Sequence, residues 1–140
     1  MAQRDKLWVV GLLAVVGAIV ATSVVRWAAV AVLDIPPEFL PLAGPVPVIL
    51  FTAVAGIGAV GVFAVAGQVS SRPERVYRWI AVVVLLLSFV PDVWLLSEGA
   101  AEIYEGATPA GVAVLMALHV VAAAVIVPVL TLGRGGGEVG

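Results

Sequence analysis

VPVILFTAVAGIGAVGVFAVAGQV, residues 46–69, contains no charged side chain. A helix needs about 20 consecutive apolar residues to cross a hydrocarbon core about 30 Å thick. This stretch is long enough, and its apolar residues are continuous. They do not alternate with the period of two expected of a membrane β-barrel strand. Residues 46–69 therefore read as a transmembrane helix. Working outward, residues 7–33, 77–96 and 109–132 have the same character.

The connections are short. Residues 34–45 carry Pro36, Pro37, Pro41 and Pro45 and cannot continue a helix. Residues 70–76 carry Arg72, Pro73 and Arg75, and residues 97–108 carry Glu98, Glu102 and Glu105. Short connections make neighbours in sequence antiparallel. The expected architecture is all-α: one domain over residues 1–140, an integral membrane four-helix bundle running up-down-up-down. The glycine-rich tail, residues 133–140, is expected to be disordered.

Composition agrees. The chain is 63% hydrophobic and only 11% charged, against about 25% charged in a soluble domain. Lipid must therefore solvate most of its surface. No cysteine is present, which excludes disulfides, thiolate metal sites and thiol redox chemistry. His119 is the one histidine, so bis-histidine haem ligation within the chain is excluded and a zinc site would need carboxylates. No metal or other cofactor is implied. The net charge of −2 argues against a nucleic-acid partner. The bias to Ala, Val, Gly, Leu and Arg, with a single Lys, resembles that of high-GC bacterial genomes.

Basic residues set the orientation. Arg4 and Lys6 precede the first span, Arg72, Arg75 and Arg78 surround the middle connection, and Arg134 follows the last span. The other two connections hold no Lys or Arg. Both termini are expected in the cytoplasm of a bacterial cell, with the protein in its plasma membrane. Arg4 and Lys6 ahead of an apolar run to Ala21 also resemble a signal peptide. The run continues past Arg26 to Leu33, longer than a signal core, so it is read as a span.

Gly56-Ile-Gly58-Ala-Val-Gly61 formally matches the dinucleotide-binding glycine pattern. That chemistry needs a preceding strand and a following acidic residue, and here the glycines sit mid-span. They read as small residues that let a neighbouring helix approach, inside the bundle or between subunits. Ala14, Ala18 and Thr22 form a similar row in the first span.

Ionisable groups within a span cost about 2.5–3.5 kcal/mol at its centre and face the bundle interior. From the rise per residue, Arg26 lies about 10 Å below the outer end of its span, Asp92 about 6 Å and His119 about 15 Å. Pro91 removes the backbone bond to Leu87 beside Asp92. Opposite charge and similar depth make Arg26 and Asp92 natural partners. Histidine is the side chain whose ordinary titration lies near neutral pH. A candidate outward-facing ligand-binding pocket thus comprises Arg26, Asp92, His119, Ser88, Thr22 and Ser23. Glu38 and Phe39 belong to an outer loop that can lie over it as a lid. Bland readings compete: Arg26 snorkelling to the headgroups, Asp92 marking a short span, His119 bonding a neighbouring backbone.

Tyr77-Arg78-Trp79-Ile80-Ala81 with Leu85-Leu86-Leu87-Ser88-Phe89-Val90-Pro91, and Leu115-Met116-Ala117-Leu118-His119-Val120-Val121-Ala122-Ala123-Ala124, resemble the third and fourth helices of a family of small four-helix membrane proteins. That family occurs mostly in actinobacteria and is known only as a domain of unknown function. The resemblance spans the chain. It implies a four-helix fold, with Ser88, Pro91 and His119 in the family's pattern, and it implies no activity.

Three functions compete. The first is a pocket that binds a small ligand, a lipid headgroup or a proton. The second is an accessory subunit that packs through its small-residue faces against a membrane partner, a second copy or a larger protein. The third, ranked last, is a lipid- or isoprenoid-modifying enzyme with Asp92 and His119 as acid and base, which requires them within hydrogen-bond or one-water reach.

Overall fold

The computed structural model describes the backbone of residues 2–135 and the side chains of residues 6–133. Four long helices, α1 (Ala2–Val32), α2 (Pro45–Val69), α3 (Pro73–Trp94) and α5 (Pro109–Gly135), form the bundle; α4 (Glu98–Ala101) is a single turn in the connection between α3 and α5. No strand occurs among the described residues. Each long helix contains a stretch apolar enough to span a membrane, and only 11–22% of the residues in each are buried inside the chain. The chain is a multi-pass membrane protein whose remaining apolar surface faces lipid.

Prolines punctuate the helices. Pro45, Pro73 and Pro109 stand at the starts of α2, α3 and α5, where a fixed φ suits the first turn and the missing N–H costs nothing. This is why α3 begins at Pro73, a full turn before residue 77, despite the arginines there. The fourth helix continues to Gly135, past residue 132. The expectation of a disordered tail also covers residues 136–140, which lie outside the described residues.

α1 packs against α5 and α2, and α3 closes the bundle against the same two helices from the other side. The α1 row Ala14, Ala18 and Thr22 is buried. Two apolar clusters stack along the axis. The one toward the α2–α3 junction, called inner only to distinguish it from the other, outer one, gathers Ala14, Ala18, Phe63, Tyr77, Ile126 and Leu130, with Phe63 and Tyr77 edge-to-face at 5.0 Å. The outer one gathers Phe39, Leu42, Val48, Leu95, Val112, Val114 and Leu118.

The three glycines of α2 separate. Gly56 is buried, and a Cβ there would stand 2.9 Å from Val15 Cγ2 and 3.6 Å from its Cα. Gly58 and Gly61 are exposed, with nothing within 4 Å of where a Cβ would stand. Gly56→Val should therefore cost about 1–3 kcal/mol by overpacking α1 against α2. Gly58→Val and Gly61→Val should leave the monomer's stability nearly unchanged. Helicity followed as dodecyl maltoside is replaced by dodecyl sulfate measures all three. Equal losses would place the α1–α2 contact elsewhere.

Candidate functional site

Asp92 and His119 meet. Asp92 Oδ2 lies 2.9 Å from His119 Nδ1; the Asp92 side chain is 7% exposed and that of His119 41%. Both contacting atoms are sealed from solvent, and neither makes a well-aligned hydrogen bond to any group. The pair is held by proximity, and the exposure of His119 belongs to the rest of its ring. Phe89, one turn before Asp92, presents its ring edge-on to the imidazole, centroids 6.5 Å apart.

The contact depends on how the helices end. His119 lies ten residues into α5, whereas Asp92 lies two residues from the end of α3 at Trp94. They can face each other only if α3 stops of order 10 Å deeper than α5 begins. The outer cluster fills the space this leaves: Leu95 follows α3, and Phe39 enters from the connection between α1 and α2. Asp92 thus occupies the last turn of α3, where the helix dipole disfavours an anion and favours a cation.

The other expected site residues take local partners. Arg26 donates from Nε and Nη2 to the Leu42 carbonyl, at 3.1 and 2.8 Å. It does not pair with Asp92, the partner that depth and charge had suggested: α1 and α3 stand across the bundle from each other, and a 3₁₀ turn, Leu40–Leu42, brings a carbonyl within reach instead. Thr22 donates to the Ala18 carbonyl at 2.8 Å. Its proton being so engaged, Thr52 is the donor in the 3.2 Å contact between the two hydroxyls. Ser88 donates to the Leu85 carbonyl at 2.6 Å, and Ser23 is half-buried beside Thr22. No hydrogen bond or ion pair joins these groups to the Asp92–His119 pair among the described residues.

They do share a level. Along their helices, Thr22, Thr52, Asp92 and His119 each fall between members of the outer and the inner cluster. A thin polar layer, Thr22–Thr52 on α1 and α2 and Asp92–His119 on α3 and α5, divides two apolar cores. Phe39 is fully buried above it, with Glu38 exposed beside it. Gly106, at φ 74°, lies beneath the loop: a Cβ there would stand 3.0 Å from Phe39 N and 3.1 Å from Pro36 Cβ. Among the described residues no three His, Cys, Asp or Glu side chains group to hold a metal ion.

Sequence reasoning missed three members of this arrangement. Thr52, four residues before Gly56 on the same helix face, reads from sequence as one more small packing residue. Phe89 carries the helical spacing to Asp92 that could have flagged it. The Leu42 carbonyl has no side-chain signature, although Pro41 signals a broken backbone there.

A family model described as a family of unknown function (DUF6069) matches residues 2–135 of the chain. No curated protein and no solved structure matches it.

Proposed function

The chain belongs to this family of unknown function, DUF6069, which offers no activity to carry over, and we propose from the geometry that it binds a proton within the membrane, at Asp92 and His119. The observation that carries this is the 2.9 Å contact between two atoms closed to solvent, on a ring otherwise 41% exposed. An imidazole so placed takes a proton on its open edge and releases one from Nδ1 to the Asp92 carboxylate. The ring then links the outside of the bundle to a buried acceptor. Arg26 acts at a distance, holding the Leu40–Leu42 turn and with it the roof.

In this reading the protein lies in a bacterial plasma membrane with both termini cytoplasmic. The Arg72, Arg75 and Arg78 cluster against two connections free of Lys and Arg supports that orientation. The acidic loops and Asp92 then face outward.

Difference infrared spectra of the reconstituted protein across an acid pH step test the proposal. A protonated-carboxyl band is expected on acidification, absent in Asp92→Asn and displaced in His119→Ala. An unchanged band in Asp92→Asn would remove the site. Native mass spectrometry identifies any other occupant: a small molecule retained by the wild type and lost in Asp92→Asn would replace the proton in this reading.

One observation favours an accessory role as a second reading. Gly58 and Gly61 present open, small-residue surface to the outside of α2, where another helix can approach closely. Gly58→Ile with Gly61→Ile would then weaken association with that helix while leaving the monomer folded. Single-molecule photobleaching of the labelled chain in bilayers reads this for a second copy. The enzyme reading meets its distance condition at 2.9 Å, but the two contacting atoms are closed to solvent.

A further inference from the structure

At the opposite end of the bundle from Phe39, where α2 ends and α3 begins, lies an open groove of about 620 Å³. Its wall includes Arg72, Glu74, Arg75, Arg78, Trp79 and Val82. Clefts of this size accommodate small-molecule ligands. The spacing of Arg72, Arg75, Arg78/Trp79 and Val82 puts them along one face of the start of α3. All are exposed, Trp79 at 66% and Val82 at 47%. Among the described residues none of the three guanidinium groups is in an ion pair, and Glu74 does not neutralise them.

The groove changes character along its length. Three cations occupy its first two turns; an indole and then a valine continue it into the apolar span. By the rise per residue, the step from Arg72 to Val82 covers about 15 Å. A soluble anion would use only the basic end. A molecule with an anionic head and a hydrocarbon chain uses both, and membranes contain such lipids. Arginine forks suit phosphate oxygens in bidentate geometry, and tryptophan favours the depth where head meets chain. A requirement for basic residues to set topology demands positive charge on this side of the membrane, but neither a groove nor an adjoining apolar floor.

We propose that this groove is a binding site for an anionic phospholipid, its phosphate held by Arg72, Arg75 and Arg78 and its acyl chain laid over Trp79 and Val82. The lipid becomes a resident partner at the α2–α3 junction. This site is independent of Asp92 and His119.

Full-length protein in phosphatidylcholine vesicles, probed with spin-labelled phosphatidylglycerol and spin-labelled phosphatidylcholine, tests it. Wild type should immobilise the anionic probe preferentially. Arg75→Gln with Arg78→Gln should reduce that preference by about fivefold per guanidinium, the factor equivalent to the ~1 kcal/mol of a basic residue near an anionic surface. Arg75→Lys with Arg78→Lys should also reduce it, though the charge is unchanged. Brominated phosphatidylglycerol should quench Trp79 more than brominated phosphatidylcholine does, in a chain with Trp8, Trp27 and Trp94 changed to Phe. If that chain misfolds, the spin-label result on wild type stands by itself. Equal immobilisation of both probes by wild type, or a preference untouched by the lysine pair, would mean diffuse attraction and overturn the site. So would its loss to inorganic phosphate at matched ionic strength, which would assign the groove to a soluble anion. Asp92→Asn should leave the preference as it is.

Discussion

Phe39→Ala should destabilise the protein by about 3–5 kcal/mol, the cost of removing a buried aromatic ring from a packed core. Phe39 is 0% exposed although it lies in a loop. Its ring fills the space above the short α3, against Leu42, Val48, Leu95, Val112, Val114 and Leu118. A Cβ on Gly111 would stand 3.1 Å from two of the ring carbons, so α5 already lies against it. The backbone around it is equally engaged: Phe39 N–H donates to the Pro36 carbonyl and Leu42 N–H to the Phe39 carbonyl. Losing the ring therefore leaves a cavity and also loosens the turn whose Leu42 carbonyl receives Arg26. Phe39→Leu, closer in volume, should cost under about 1.5 kcal/mol. Leu40→Ala, at a residue 63% exposed, should be near neutral. Unfolding in mixed micelles of dodecyl maltoside and dodecyl sulfate ranks the three. A loss below about 1 kcal/mol for Phe39→Ala would show a roof that rests on the bundle without holding it.

The spans were legible because lipid imposes the simplest of sequence rules, an uncharged run long enough to cross. Residues 46–69 carry that rule without exception, and the helix found there, Pro45–Val69, differs at one end by a single residue. The start of α3 was less legible, since Arg75 and Arg78 look like loop while Pro73 starts a helix. Depth along each span was also readable, and Asp92 and His119 do meet, at the level of Thr22, between the two apolar clusters. Lateral neighbours were not readable. Hydropathy says nothing about which helices stand diagonally, so charge complementarity paired Arg26 with Asp92 across a bundle that separates them. Backbone acceptors are invisible in the same way: nothing about the letter Leu at position 42 announces a carbonyl turned toward an arginine. Gly58 and Gly61 were indistinguishable from Gly56 for a related reason, because helical spacing fixes a face only relative to neighbours that the sequence does not name.

His119→Ala should cost about 3 kcal/mol, the low end for removing one partner of a buried pair, since the ring is half exposed. The loss arises from what remains. Asp92 Oδ2 is closed to solvent and faces no other polar group, so without the imidazole it must keep an uncompensated charge or take a proton. Asp92→Asn should cost less, about 1 kcal/mol, because the amide preserves the volume and can still bond the ring, and interhelical polar contacts in membranes are individually weak. The pair Asp92→Leu with His119→Leu should recover most of the stability, as apolar replacements of buried ion pairs commonly do. A double-mutant cycle in mixed micelles isolates the interaction. Additive losses would mean that the 2.9 Å contact carries no coupling. The doubly substituted protein also separates chemistry from architecture. A bundle that stands equally well on two leucines has no structural need of a carboxylate and an imidazole between its apolar cores. If that variant is stable yet shows no protonated-carboxyl band on acidification, the polar pair serves proton binding. If it cannot fold, the pair is the joint between α3 and α5, and the proton reading loses its ground.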